Sequence, residues 1–585
     1  MTWFLRDLGR LDRERQALEA LRERSPWMTP PVWRWVDGPL EVDLDIEIDG
    51  DVYPLRLRYP DAFPACPPSV YPRDVQVRWS AHQYGAGGEL CLEIGPDNWV
   101  PDITGASLVE SAHRLLDAER PGSVLNPKDE VPSRHHLTAS QELRGKDGRF
   151  LLTEDLSAYL AQQGDGAVLG MDVLRIGHGI SRTALVTALR DQAGAEWRDT
   201  SIPSLVLAKN QYAWSGTAIR ISDSLRLPPV TSAAALGGIL AAIGVSVPEG
   251  GLSTGDYEFI LLFGRDREPQ LLWPLSPDGG VVAHDPVRAG DSGAGRLDPG
   301  YEHLSTRRVG IVGAGSVGSK VATSLARAGV GRFLLVDGDV LLPGNLVRHD
   351  LDWVSVGGHK VDELSWRLGA VRAGVQVTVR RTMLTGQEAT ASVAAALDDL
   401  ASCDLIVEAT ADGTIFGLVG THAAARRKAM VWAEVLEGGI GGLLARSRPG
   451  QEPTPLVMRS RILDWCRGMG APWARTGSQY ASMGEDGTPL IADDADVGVI
   501  AAHLARFAID TLLERTPSDF PHAAYFVGLR RSWIFGEPFD THPVDVGQPE
   551  ERRPFEAVPP EVIQENLSFL SALLPDTSDA PDPSI

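Results

Sequence analysis

The chain opens on MTWFLRDLGRLDRERQALEALRER, where apolar residues return every three or four positions between charges, the spacing of a helix with one buried face. The pattern then becomes alternation in LEVDLDIEIDG and VYPLRLRY, which predicts half-buried strands. A proline-rich crossing and a glycine-rich loop around Cys91 come next, so residues 1–120 read as one α+β domain. Residues 121–149 lie in a stretch of breakers and charges without a period, and read as a linker. His135 and His136 fall there and read as solvated linker residues, not ligands. From 150 to 300, possible strands such as YEFILLF and SLVLAK mix with an alanine-rich helical stretch, giving a middle α/β domain with no assignable chemistry. Beyond Arg308, short apolar runs alternate with helical periodicity as in a parallel sheet, which sets a further domain at 301–550. Residues 551–585 read as a C-terminal segment whose end, LLPDTSDAPDPSI, is too polar and proline-rich to pack and reads as a disordered tail. The expected fold class is α/β multidomain.

At 585 residues the chain has room for about three or four domains of ordinary size. Its formal charge of −23 opposes non-specific attraction to nucleic acid or an anionic membrane, which points to proteins and small molecules as partners. The longest apolar stretch, AAALGGILAAIGV, is shorter than the roughly 20 residues that span a bilayer, and the first residues carry charges where a signal peptide needs an apolar core. A cytoplasmic protein is expected. Cys66, Cys91, Cys403 and Cys466 are far apart with no CxxC pair, so neither a disulfide framework nor a four-cysteine zinc site is indicated. Any special cysteine acts alone, and Cys66, beside prolines, reads as structural.

The stretch RRVGIVGAGSVGSKVATSLARAGVGRFLLVDGD runs from an apolar strand through Gly313-x-Gly315-x-x-Gly318 into a helix and a second strand ending at Asp337. Glycines allow a tight turn and close phosphate approach, the helix N-terminus offers N–H groups to the anion, and the acid can bind ribose hydroxyls. Dehydrogenases share that much. The residues downstream set this chain apart: Asp339, Asn345 and Arg348 in DGDVLLPGNLVRHDL, Lys360 in GGHK, and Asp412 ending CDLIVEATADG. Cations beyond the ribose acid suit adenylation of a carboxylate by ATP, where charge spreads over the α-phosphate and the leaving pyrophosphate. These motifs resemble the ThiF/MoeB and ubiquitin-activating family over roughly 300–515, including the closing helix DADVGVIAAHLARFAIDTLL. The resemblance implies a Rossmann-like adenylation domain using ATP and Mg²⁺. Asp337 would hold the ribose, Asn345, Arg348 and Lys360 the phosphates, and Asp412 the metal. The family's CxxC zinc motif is missing, so no structural metal is expected.

In the first domain, FPACPPSVY, His82, GELCLEI around Cys91, and Trp99 and Pro101 in WVP resemble the ubiquitin-conjugating fold. That implies Cys91 as the thiol that takes an activated C-terminal glycine as a thioester, and an exposed thiolate is what such transfer needs. One departure matters: the family's His-Pro-Asn reads His82-Gln83-Tyr84 here, so the oxyanion donor is open between Gln83, Tyr84 and a different acceptor chemistry. A relay before Cys91 is also open. Cys466 in RILDWCRGMG is one candidate, Ser478 after Gly477 another, and direct transfer from the adenylate a third. The domain order resembles single-chain fusions of bacterial antiphage operons, CBASS type included, whose middle domain is a second, inactive adenylation fold within a homodimer. The implied partners are a ubiquitin-like protein or another protein C-terminus, such as that of a nucleotidyltransferase, and an amine on a target. Two rivals stand beside this reading: a MoeB-like adenylyltransferase of a sulfur carrier with an N-terminal docking module, and an inactive nucleotide-binding scaffold.

Overall fold

The computed structural model describes residues 2–35, 38–80, 82–84, 87–119, 138–143, 148–177, 182–203, 206–207, 213–223, 230, 232–242, 244, 259–274, 280–289, 297–386, 388–471, 481–483, 489–550 and 559–573. The chain divides into two compact units, Met1–Arg144 and Gly145–Ile585. Ser478, His135, His136 and most of the expected linker and tail lie outside the described residues.

In the first unit the periodic N-terminus is helical in two pieces, Trp3–Arg6 and Leu8–Arg24, because the Asp7 carboxylate accepts from Arg10 N–H (2.8 Å) and starts the second. The alternating runs pair antiparallel as Leu40–Ile48 and Asp51–Tyr59, across a turn in which Asp49 and Gly50 both take positive φ. Val32–Trp35 and Ser69–Pro72 complete four strands. Val42, Leu44 and Ile46, with Leu55 and Leu57 opposite, form one face, packed with Leu18 and Leu21 of the long helix and Leu108, Val109 and Leu116 of the helix Gly105–Ala118. A buried polar knot ties the two helices together. The Glu14 carboxylate accepts from Tyr59 Oη (2.8 Å) and from Gly105 N–H (2.7 Å), and it pairs with Arg10 at 2.8 Å. Arg10 in turn donates to the Pro101 carbonyl and, at 2.6 Å, to that of Ile103, so the WVP segment is fixed from behind.

The middle region departs from expectation. Its strands do not form a parallel nucleotide-binding sheet: they run Glu196–Arg198, Arg182–Arg190, Gly148–Leu152, Val281–Arg288, Gln270–Pro274, Phe259–Phe263, Ala213–Arg220, Val168–Ile176, with mixed directions. Val168–Ile176 also pairs with Arg182–Arg190, so all but the short edge strand close into a ring. The ring encloses Phe150, Met171, Val186, Phe259 and Phe263. A second adenylation-like fold at 150–300 is thus not what the described residues form, because long-range antiparallel pairing, invisible in short apolar runs, sets the topology. YEFILLF supplies the fully buried strand Phe259–Phe263, whereas in SLVLAK the two described residues, Val206 and Leu207, are helical.

The last sheet matches the expected alternation. Parallel strands lie in the order Gln376–Arg380, Arg332–Val336, Arg308–Val312, Leu405–Glu408, Ala429–Val435, and three antiparallel strands, Gly441–Ser447, Ala524–Gly528 and Thr541–Val544, extend it. Successive strand residues face opposite sides. Ile311, Leu335 and Val407 meet the helices Ser316–Ala328, Lys360–Val371 and Asp494–Leu512, whereas Val312, Leu334 and Ile406 meet Gly413–Ala425 and Pro455–Gly468. The strand order reverses between Arg308–Val312 and Leu405–Glu408, the place where such sheets bind ligands beyond their strand ends. Among the described residues no helix is long and apolar enough to cross a membrane.

Candidate active site

Beyond the ends of the parallel strands lies a cavity of about 300 Å³ lined by Gly313, Gly315, Asp337, Asp339, Asn345, Arg348, Lys360, Thr410 and Asp412, among others. Every nucleotide-site residue singled out in the sequence lines it except Gly318, whose role is packing. A Cβ at Gly318 would come within 1.9 Å of the Gly313 carbonyl oxygen, so only glycine lets the helix Ser316–Ala328 start this close to the turn. Gly313 takes φ +88°, and a Cβ there would meet Thr410 at 2.8 Å. The helix begins at Gly315 with no side-chain cap, which leaves its first N–H groups for an anion at the cavity edge.

Asp337 is held by two backbone donors, Ala314 N–H on Oδ2 and Asp339 N–H on Oδ1, each at 2.8 Å. Burial nevertheless pushes its carboxyl above the ordinary value, because taking the charge out of water outweighs these donors. The Lys360 stem is buried and its Nζ sits 2.7 Å from Asp339 Oδ2. Asn345 Oδ1 accepts from Leu342 N–H (2.9 Å), which leaves the NH₂ end of its amide as donor. Asp412 caps the helix Gly413–Ala425 with Oδ1, accepting from Thr414 N–H (2.7 Å) and Ile415 N–H (3.0 Å). Its other oxygen is the one left for a ligand.

Two residues of this site escaped the sequence reading. His349 accepts from Leu351 N–H on Nδ1 (3.1 Å), so its Nε2–H donates to the Ala314 carbonyl (2.8 Å), and burial lowers its pKa. This neutral ring pins the loop carrying Arg348 to the glycine turn. Glu408, almost wholly buried, accepts through Oε1 from Thr410 N–H (2.9 Å) and from the Thr410 hydroxyl, whose oxygen accepts from Asp412 N–H (3.1 Å). Burial, helped by nearby Glu434, pushes Glu408 up to about 7. A carboxyl raised on folding contributes full stability below its unfolded pKa, near 4.3, and loses it as pH climbs to about 7. Glu408→Gln is therefore expected to be more stable than wild type at about pH 8, by on the order of 2 kcal/mol, and to lose that advantage near pH 4. Denaturant melts across pH test this, and parallel stability curves would refute it.

The second group of candidates surrounds Cys91 in the first unit. Cys91 is half-buried, its N–H donates to the His82 carbonyl (2.8 Å), and its Sγ lies 2.7 Å from Tyr84 Oη. Trp99 Nε1–H donates to the Pro64 carbonyl (2.8 Å), which joins the WVP segment to the proline-rich crossing. His82 Nε2 lies 3.4 Å from Glu119 Oε1.

Known proteins share parts of this chain. Residues 294–456 match the ThiF family. That stretch holds the five parallel strands of the last sheet and the residues that line the cavity, the glycine turn, Asp337 and Asp412 among them. Among similar proteins, the uncharacterized protein y4qC of Sinorhizobium fredii is 27% identical over 345 residues, 54% of this chain and 56% of that protein. The ATP-dependent ubiquitin transferase-like protein Cap2 of Enterobacter hormaechei is 41% identical over 68 residues, 12% of this chain and 11% of its own. The ubiquitin-conjugating enzyme E2-22 kDa of Drosophila melanogaster is 27% identical over 121 residues, 21% of this chain and 55% of that enzyme. The chain spans little more than half the length of the first of these relatives and far less of Cap2.

Of the relay candidates, Cys466 lies on the helix Pro455–Gly468 with no exposed surface, packed in the core on the second face of the last sheet. Burial pushes its thiol up to about 11, so it carries almost no thiolate at neutral pH and its place is that of a core residue. Cys403 is equally buried. Ser478 lies outside the described residues.

Proposed function

We propose that the chain activates a protein C-terminal carboxylate with ATP and passes the acyl group to Cys91 for conjugation to an amine. The observation that carries this reading is the gathering of Asp337, Asn345, Arg348, Lys360 and Asp412, far apart in sequence, around one cavity beside an uncapped helix N-terminus. Asp337 suits ribose hydroxyls, while Lys360, Arg348 and Asn345 suit the phosphates. As a carboxylate oxygen attacks the α-phosphorus and pyrophosphate leaves, these donors meet the charge that develops. The donor set also fits Mg²⁺: Asp412 keeps one carboxylate oxygen after capping its helix, and this cation is commonly held by one or two carboxylates plus phosphates and water. Among the described residues no three His, Cys, Asp or Glu side chains gather to hold a metal by themselves. Bound there, the cation would neutralise phosphate charge.

The Cys91 thiolate would then attack the acyl carbon of the adenylate, expelling AMP and leaving a thioester. The similarity to a ubiquitin-conjugating enzyme over 121 residues supports this second step. The antiphage setting and the homodimer implied by the domain order belong to the same proposal. The test incubates the protein with ATP, Mg²⁺ and the candidate carrier encoded beside it, and measures both pyrophosphate exchange and protein adducts. A thiol-labile adduct supports the proposal. Exchange without any adduct favours a MoeB-like adenylyltransferase, and neither favours an inactive scaffold.

A further inference from the structure

We infer that the Tyr84 hydroxyl is the hydrogen-bond donor of the Cys91 acyl-transfer site, serving the thiolate and then the acyl oxygen. This inference rests on the conjugating role proposed for Cys91. The ladder around the cysteine shows why the donor is Tyr84 and not its neighbour. Gln83 pairs with Leu90 and Tyr84 with Glu89, and the bond from Cys91 N–H to the His82 carbonyl carries the same antiparallel register one step further. Tyr84 is two residues on from the partner of Cys91, so the two side chains share a face as diagonal neighbours, a separation that a long aromatic side chain can bridge. Its Oη reaches Sγ at 2.7 Å.

Gln83 points to the other face and is fully used there. Its Oε1 accepts from Trp79 N–H (2.6 Å) and Ser80 N–H (3.1 Å), and its Nε2 donates to the Gly88 carbonyl (2.8 Å) and more weakly to that of Val77 (3.5 Å). An amide has two acceptor sites and two donor hydrogens, and all four are taken. Gln83 therefore builds the loop, and Tyr84 attends the sulfur. A thiolate only accepts, so toward it the phenol is the donor. Burial and the contact with Cys91 push the Tyr84 phenol up to about 12, which keeps that proton in place throughout the neutral range. More than half of the Tyr84 side chain is nevertheless exposed, leaving room for an acyl group and an incoming amine.

In the transfer step an amine nitrogen attacks the thioester carbon, and the carbonyl pair moves onto oxygen, where the Tyr84 O–H donates to it. Collapse re-forms the carbonyl and breaks the carbon–sulfur bond. The electron pair leaves on Cys91 Sγ, the nitrogen releases its proton to water, and the same hydroxyl returns to the thiolate. Tyr84 stays protonated throughout.

A synthetic peptide ending in Gly-Gly as its mercaptoethanesulfonate thioester loads Cys91 by thiol exchange, without ATP or a carrier. Hydroxylamine then discharges it. Tyr84→Phe is expected to slow both steps about tenfold, less than the 10²–10³ lost with a donor in a sealed oxyanion hole, because this site is open to water. It should leave the melting temperature in place, which loss of a purely structural contact would not do. Tyr84 replaced by 3,5-difluorotyrosine keeps the ring and supplies a more acidic donor, so it should discharge at least as fast as wild type at neutral pH. Wild-type rates in Tyr84→Phe would overturn the inference while leaving Cys91 as the carrier. Peptide loading that persists in Cys91→Ala would overturn the conjugating role itself.

Discussion

Lys360→Met and Asp412→Asn are each expected to lower ATP–pyrophosphate exchange by about 10²–10³, the loss seen when one preorganised charge or donor is removed from a developing transition state. Both substitutions are chosen so that the fold survives. Methionine keeps the buried stem of Lys360, and the Asp339 carboxylate it abandons is more than half exposed, so water can take the ammonium's place. Asparagine at 412 keeps the oxygen that accepts from Thr414 N–H and Ile415 N–H, so the helix Gly413–Ala425 stays capped while the negative charge is removed. The two variants also differ in kind. Loss at Asp412 should be partly relieved by raising Mg²⁺, because the cation's affinity falls, whereas loss at Lys360 should not respond. Full exchange in both variants, with unchanged melting temperatures, would remove this cavity from the reaction.

How much of this site could be read from sequence depended on whether a residue's role is local. Gly313 and Gly318 were legible because their roles are set within a few residues, by a positive φ and by a helix start that tolerates no Cβ. Asp337 and Asp412 were legible because each follows a parallel strand, Asp337 directly after Arg332–Val336 and Asp412 in the turn between Leu405–Glu408 and its helix, where side chains meet at the ligand crevice. His349 was not. Nothing around it announces that its ring reaches back to Ala314, and that bond exists only once the two loops are brought together. Nor was Glu408: nothing local to the last residue of the strand Leu405–Glu408 announces the burial that, with nearby Glu434, raises its pKa. The middle ring failed for the same reason at larger scale, since Val168–Ile176 pairs with both Arg182–Arg190 and Ala213–Arg220 through contacts that no local period encodes. Cys466, beside Leu463 and Trp465, reads from sequence equally as core or nucleophile, and only its burial decides for the core.

Cys91→Ala is expected to reduce the carrier adduct at least about a hundredfold while pyrophosphate exchange stays within about twofold of wild type, because the thiolate is the acyl acceptor and takes no part in forming the adenylate. The structure makes this separation clean. Cys91 belongs to the unit Met1–Arg144, and the nucleotide cavity is built wholly from residues of Gly145–Ile585. Locally, the backbone bond from residue 91 to the His82 carbonyl needs no side chain, and a half-buried thiol is a small loss of packing. Cys91→Ser sharpens the result. An alkoxide leaves far less readily than a thiolate, so any acyl group that reaches the substituted hydroxyl should accumulate as an ester that resists thiol and yields to hydroxide. Adduct that survives in Cys91→Ala would mean that the acyl group rests elsewhere. Because Cys466 and Cys403 are enclosed in the core, a surviving base-labile adduct would direct the search to a hydroxyl such as that of Ser478, and a thiol-labile one to Cys66.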